Sequence, residues 1–219
     1  MSSLLVMVGL TREARIVRGG ARVLIGGHGL EPALAERPAA FLSFGLCGVL
    51  DPALRIGDLV LGESVATASG LYLADAAWSA ELAKTAPRAV LAGVAAGPRM
   101  LTSPVEKAHL RAQTGAAAVD MESHLVAEAA ARLGVPFAVL RSVSDRADHA
   151  ISGAAQAGYK PDGVPDLAGV LAALLARPRE FPALVRTALH AATAFKALDL
   201  CGKALDWRAP APTPTALAA

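Results

Sequence analysis

The 219-residue sequence predicts an α/β fold, a three-layer α/β/α sandwich around a central mixed, largely parallel sheet. Three observations point to it. Short apolar, β-rich runs alternate with helical patterns along the chain. The strand runs are continuously apolar rather than alternating, as suits strands covered on both faces. The helical patterns carry recognisable caps and stops. A chain of this length fits one domain and buries about 70% of its unfolded surface. That domain is placed at 1–207, with a Pro/Ala-rich tail at 208–219 expected to be disordered.

The elements follow in order. Leu4–Gly9 and Arg22–Gly26 read as the first two strands. Phe41–Leu46 and Asp58–Glu63 are two more, separated by the turn-rich GVLDPALRIG. Ala89–Ala95, Ala116–Met121 and Phe137–Val143 complete the set. Among the helices, Pro104–Gln113 follows Ser103 as N-cap, with Glu106 in capping-box position. Ser123–Leu133 carries Leu125, Val126, Ala129, Ala130 and Leu133 on one face and is stopped by Gly134 and Pro136. Asp166–Ala176 is amphipathic and capped by Asp166, and Glu180–Leu200 is a long final helix. Ile151–Pro165, rich in Gly, Pro and Ala, reads as a loop over a site. No internal repeat is visible.

Composition removes several function classes. Hydrophobic residues make up 54% of the chain, above the usual figure of about 45–50%, and much of the excess is alanine. Aromatic residues are only 4%, which argues against stacking platforms for single-stranded nucleic acid. The net charge of +2 is small and the basic residues are scattered, so there is no electrostatic case for a nucleic-acid partner. The two cysteines, Cys47 and Cys201, have no metal-ligand spacing. No metal site or bound cofactor is expected. No apolar run reaches the length of a membrane span. The apolar start, Leu4–Leu10, lacks a basic leader and a cleavage site, so a cytoplasmic protein is expected.

Two acids stand where buried strands emerge. Glu122 lies at a strand-to-helix turn, the place where ligands gather in open α/β sheets. It suits a carboxylate gripping a vicinal diol such as a ribose; equally it suits a first-turn acid stabilising its helix. Asp145 closes the Phe137–Val143 run. A carboxyl group in a partly apolar pocket has a raised pKa and can donate a proton near neutrality; the alternative is an Asx-turn or cap. Asp148 reads as a solvated loop acid. Two glycine-rich segments, IGGHG (Ile25–Gly29) and FGLCG (Phe44–Gly48), each follow a strand as turns, where backbone N–H groups approach a ligand closely. Gly29, Cys47 and Gly48 are therefore binding candidates; plain tight turns are the alternative. Neither has dinucleotide or P-loop spacing, and His28 is a turn residue.

Three segments, VMVGLTREA, FGLCGVLDPALRIGDLVL and AAAVDMESHLVAEAAARLGVPFAVLRSVSDRAD, together resemble the purine nucleoside phosphorylase and nucleosidase superfamily. The likeness runs from about residue 4 to 150, and the VDMES and SVSD pair is its specific part. Within the superfamily the chain is most similar to hopanoid-associated phosphorylases, regarded as adenosylhopane nucleosidases, and there the likeness extends to DLAGVLAALLARPREFPALV.

The resemblance implies a phosphorylase-like fold and cleavage of an N-glycosidic bond. It implies that Met121 packs on the sugar, that Glu122 holds its hydroxyls and that Asp145 protonates N7 of the purine. It places Met100, Leu101, Cys47 and Gly48 around the base. Hydrolytic members carry a water-orienting glutamate at the first strand-turn; Glu13 is the candidate, although a gapless match puts Ala14 there. Phosphorolytic members use arginines and a serine, for which Arg12 is a candidate. Ser43 and Leu46 stand where one such branch has its arginine and serine, which weakens the phosphate reading. Phosphate stays as an alternative co-substrate to water.

The expected function is release of adenine from an adenosyl compound, adenosylhopane in hopanoid lipid biosynthesis. A methylthioadenosine/S-adenosylhomocysteine nucleosidase, a general purine nucleoside phosphorylase and a non-catalytic nucleoside-binding module are the alternatives. A lipid-linked substrate implies an apolar pocket, to which Ile151–Pro165 and the final helix, with Phe181, Leu184, Val185, Leu189 and Phe195, are assigned, and peripheral contact with a membrane. Relatives imply a homo-oligomer.

Overall fold

The computed structural model describes residues 3–160 and 162–210. The elements are β1 (Leu4–Val8), α1 (Thr11–Ala14), β2 (Arg22–Ile25), α2 (Leu30–Ala35), β3 (Ala40–Val49), β4 (Leu59–Thr67), β5 (Gly70–Leu73) and α3 (Ala76–Thr85). They continue as β6 (Val90–Ala96), α4 (Pro104–Thr114), β7 (Ala118–Asp120), α5 (Ser123–Leu133), β8 (Phe137–Asp145), α6 (Gly153–Ala157), α7 (Leu167–Ala176) and α8 (Phe181–Ala204).

All the expected strands and helices are present, and α5 has the bounds read from its stripe and stop. The α4 capping box forms as expected, with Ser103 accepting from the Glu106 amide. Three expectations change. The FGLCG segment is not a turn; it lies inside β3, which runs on to Val49 because Gly48 and Val49 pair with β7. The Ile151–Pro165 segment is not wholly a loop; Ser152 caps the short helix α6 within it. A further helix, α3, is capped by Asp75, whose side chain accepts from the Trp78 amide at 2.8 Å. Most of the tail expected to be disordered, residues 211–219, lies outside the described residues.

The sheet is mixed. β1 pairs in parallel with β2 and β3, β3 with β8, β4 with β6, and β6 with β7; β3–β7, β4–β5 and β4–β8 are antiparallel. The pairings β3–β8–β4–β6–β7 return to β3, so part of the sheet closes on itself. Closure requires β3 to leave β8 near its end, and its register slips there between Cys47 and Gly48. Gly48 then has Val119 beside it on one edge and Asp145 on the other. Val119 of the short strand β7 and Asp145 at the end of β8 are thereby brought to the two sides of one β3 residue.

Period-2 alternation assigns the two faces. Leu4, Val6 and Val8 of β1, Leu42 and Phe44 of β3, and Ala138 and Leu140 of β8 pack with α3 and α8. Leu5, Met7, Phe41, Phe137, Val139 and Val143 face the other way, with α2 and α5. By the same parity Ser43 and Arg141 belong to the α5 face, where both are fully buried.

The space between β4 and β8 admits no side chain at Gly62. A Cβ there would lie 2.7 Å from Cβ of Val139. Gly62→Ala is expected to destabilise the fold by about 1–3 kcal/mol through overpacking. A thermal melt would show this as a loss of about 2–4 °C per kcal/mol; an unchanged midpoint would show that the two strands part freely.

Candidate active site

The chain turns inward directly after β1. Gly9 and Leu10 lead into α1, and the Glu13 side chain folds back over that turn. Its Oε2 accepts from the amides of Gly9 at 2.8 Å and Leu10 at 2.9 Å, and its Oε1 from the amide of Leu46 at 2.7 Å. The carboxyl group thus ties β1 to β3, and Glu13 is 2% exposed. Burial raises its pKa, against the opposing pull of the Arg141 charge and the three amides. A Cβ at Gly45 would lie 2.7 Å from this carboxyl group, so the strand beneath must be bare. Ala14 packs instead with the cluster on the opposite sheet face, so of the two neighbours it is Glu13 that lines the cavity.

The start of α5 separates capping from function. Asp120, at the end of β7, takes the amides of Glu122 at 3.1 Å and Ser123 at 2.7 Å on Oδ1. Its Oδ2 accepts from the Ser123 hydroxyl and pairs with Nε of Arg141 at 2.9 Å. The capping role that Glu122 could have had belongs to Asp120. Glu122 makes no cap bond; its Oε2 sits 3.3 Å from Nη1 of Arg141. Burial pushes the Glu122 pKa up to about 7, with Arg141 pulling against it and the charges of Asp120 and Glu13 adding to the rise. A Cβ at Gly9 would be 2.7 Å from its Oε1.

Arg141 is the common partner. It is wholly buried on β8 and donates to the Leu46 carbonyl at 3.3 Å and to the Ser43 hydroxyl, which itself lies 2.8 Å from the hydroxyl of Ser123.

Asp145 closes β8. Its Oδ1 would lie 2.8 Å from a Cβ at Gly48, and its Oδ2 pairs with the ammonium of Lys107, from α4. Burial raises the Asp145 pKa, with Lys107 acting in the opposite sense. Asp148 pairs with Arg146 in solvent, the loop role expected of it.

One cavity of about 380 Å³ joins these groups. Glu13, Leu46, Cys47, Gly48, Met121, Glu122 and Asp145 line its inner part, with Gly9, Asp120 and Ser144 between them. Met100, Leu101 and Tyr159 cover it. Beyond Ile151 it continues between Ala155, Pro165, Val170, Leu184, Ala188 and Ala191, all apolar. Eight of the ten expected site residues therefore share one space. Arg12 and Gly29 do not. Arg12, one helical step from Glu13, points outward and lays its guanidinium 4.0 Å above the Phe195 ring. Gly29, in the left-handed region at φ 77°, opens α2 and does not line the cavity.

Sequence reasoning did not find Asp120, Arg141 or Lys107. A signal existed for two of them: Arg141 interrupts the apolar run VPFAVLRSV, and Asp120 stands three residues before Ser123 in a capping pattern. Lys107 looks like any helix-surface lysine. Among the described residues no group of His, Cys, Asp and Glu could hold a metal ion, and no helix is long and apolar enough to cross a membrane.

Known proteins share this architecture. The futalosine hydrolase structure from Helicobacter pylori strain 26695 superposes with a TM-score of 0.62 at 18% identity, over 93% of this chain and 98% of that one. The 5'-methylthioadenosine/S-adenosylhomocysteine nucleosidase from Neisseria meningitidis, in complex with methylthio-immucillin-A, gives 0.62 at 17% identity, over 94% and 100%. Likeness at that level is likeness of fold. In sequence, the chain is 31% identical over 132 residues to the 5'-methylthioadenosine/S-adenosylhomocysteine nucleosidase of Geobacillus kaustophilus (strain HTA426); the match covers 50% of this chain and only 56% of that protein. The phosphorylase superfamily model matches residues 12–177, which include Glu13, Glu122 and Asp145. The chain belongs to the phosphorylase superfamily.

Proposed function

We propose that the protein hydrolyses the N-glycosidic bond of an adenosyl compound and releases adenine. The observation that carries this reading is the convergence of three carboxyl groups, the buried Glu13 and Glu122 and the half-buried Asp145, on one cavity.

Rupture of this bond builds positive charge on the ribose and negative charge on the base. Groups fixed in a dry site stabilise such a separation more than water can. With the base against Cys47, Gly48 and Asp145, the Asp145 proton passes to N7 as the bond between C1′ and N9 breaks. Met121 packs on the sugar and Glu122 accepts its hydroxyls. A water bound beside Glu13 attacks C1′ and gives its proton to the Glu13 carboxylate. The products are adenine and a free anomeric hydroxyl.

Water fits better than phosphate. Glu13 and Glu122 present acids rather than cations to an anion, the Arg141 guanidinium is occupied by Asp120, Glu122, Ser43 and Leu46, and Arg99, which also lines the cavity, pairs with Glu106. Arg12, the other candidate for phosphate, faces Phe195.

The apolar extension supports a large hydrocarbon 5′ substituent, and adenosylhopane as the substrate. From Ala155 to Ala191 the lining is small or aliphatic apart from the hydroxyls of Tyr159 and Thr187, and it carries no charge. The outer faces of α7 and α8 leave Leu167, Leu171 and Leu175, then Phe181, Val185 and Leu189, exposed at four-residue spacing. Such stripes support approach to a membrane from which a lipid would be drawn. Methylthioadenosine is the second reading, favoured by the Geobacillus relative.

Purified protein is expected to release adenine from adenosylhopane, with and without phosphate, and more efficiently than from methylthioadenosine. Release that requires phosphate, or a preference for methylthioadenosine, overturns the corresponding part of the reading; no adenine from either overturns it whole. Glu13→Gln and Asp145→Asn are each expected to lower kcat by about 10²–10⁴-fold with the circular dichroism spectrum unchanged. Because Glu122 must be ionised to accept the sugar hydroxyls, kcat/KM is expected to climb as pH rises through about 7. Glu122→Gln removes that limb, and a limb that persists assigns it to another group.

A further inference from the structure

We propose that Lys107 is the positioning residue of the Asp145 acid: its ammonium fixes which carboxyl oxygen faces the base and stabilises the carboxylate left when the proton departs. This rests on the nucleosidase reading above.

The Lys107 side chain is 1% exposed although it belongs to a helix that otherwise buries little. A buried ammonium is held only where its charge is met. Lys107 has three acceptors: Oδ2 of Asp145, the Arg146 carbonyl at 2.7 Å and the His149 carbonyl at 3.3 Å. All three N–H bonds are accounted for, so the ammonium cannot swing toward a ligand. With Oδ2 engaged, Oδ1 is left over Gly48, where no Cβ obstructs it. The pair therefore leaves one acid oxygen beside Gly48, and both Asp145 and Gly48 line the cavity.

The charge has a second effect. Burial alone would make Asp145 a weak acid, reluctant to part with its proton. The nearby cation favours the ionised form, and so strengthens the acid. Of the other titratable groups that face Asp145, His190 acts on it in the same sense, and less than Lys107 does. Cys47 on β3 is kept a neutral thiol by burial. His190 on α8 is stacked on His149 with ring centroids 6.0 Å apart, and burial together with the positive neighbours His149, Arg186 and Arg146 disfavours its protonation. Lys107 is the standing positive charge in contact with the acid.

A purely structural staple would also bond the two carbonyls and hold the chain after β8. The two roles differ in what they do to the titration of Asp145. The test compares wild type, Lys107→Met and Lys107→Arg. Carbon-13 NMR of the carboxyl groups, with Asp145→Asn to assign the signal, is expected to show the Asp145 pKa about 1–3 units higher in Lys107→Met. Lys107→Arg is expected to restore it. In parallel, the high-pH limb of kcat for adenine release should move up with Lys107→Met, while kcat at its optimum falls by at least tenfold. An Asp145 pKa unmoved by Lys107→Met, or by Lys107→Gln should the methionine variant fail to fold, overturns the proposal. If wild type releases no adenine while the NMR shift is present, the nucleosidase reading fails and the Lys107–Asp145 coupling stands.

Discussion

A single buried guanidinium organises this protein. Arg141 sits on a central strand with no access to water, and the cost of burying its charge is several kcal/mol unless it is paired. Asp120 and Glu122 pair with it, the Ser43 hydroxyl and the Leu46 carbonyl accept hydrogen bonds from it, and Glu13 lies within its field. These partners come from β7, the start of α5, β3 and α1. Satisfying one side chain thus fixes where four elements end. It also leaves the account unbalanced, since one cation faces three carboxyl groups. Burial, which Arg141 only partly offsets, makes Glu13 and Glu122 favour their protonated forms more than exposed glutamates do.

Room for the acids comes from the backbone. Gly9, Gly45 and Gly48 each lie where a Cβ would strike a carboxyl oxygen, of Glu122, Glu13 and Asp145 respectively. Three positions without side chains, two within β3 and one just past β1, let three acids lie against the sheet ends. The bulge in β3 beside Gly48 adds the local bend that brings Asp145 and Val119 to its two edges. The glycines of FGLCG therefore serve the site from within a strand, as close-approach positions rather than as a turn.

Much of this was legible in advance, for reasons that differ from residue to residue. Glu122 and Asp145 stood out because an acid at the mouth of a buried strand is poorly solvated. The α4 and α5 boundaries were readable because caps, stripes and stops are local chemistry. The strand β5 was not legible: it is four residues long, mostly exposed and paired only with β4. Arg141 was hidden by its own context, since a charge inside an apolar run gives no hint of a partner 21 residues earlier. Lys107 was hidden more completely, because its acceptors lie 38 to 42 residues away and its own helix is mostly solvated.

By itself the sequence determined the layers, the order of strands and helices, and the acids that stand at strand ends, because hydrophobic period and capping are properties of neighbours along the chain. Only the tertiary structure decided that Glu13 rather than Ala14 faces the cavity, that Asp120 takes the capping role away from Glu122, and that Arg12 turns its charge onto Phe195. Those outcomes depend on register and on helix rotation, which are set by packing against residues far away in the sequence. The same holds for acid strength: burial and a distant cation fix it, and neither is written beside the residue that carries the proton.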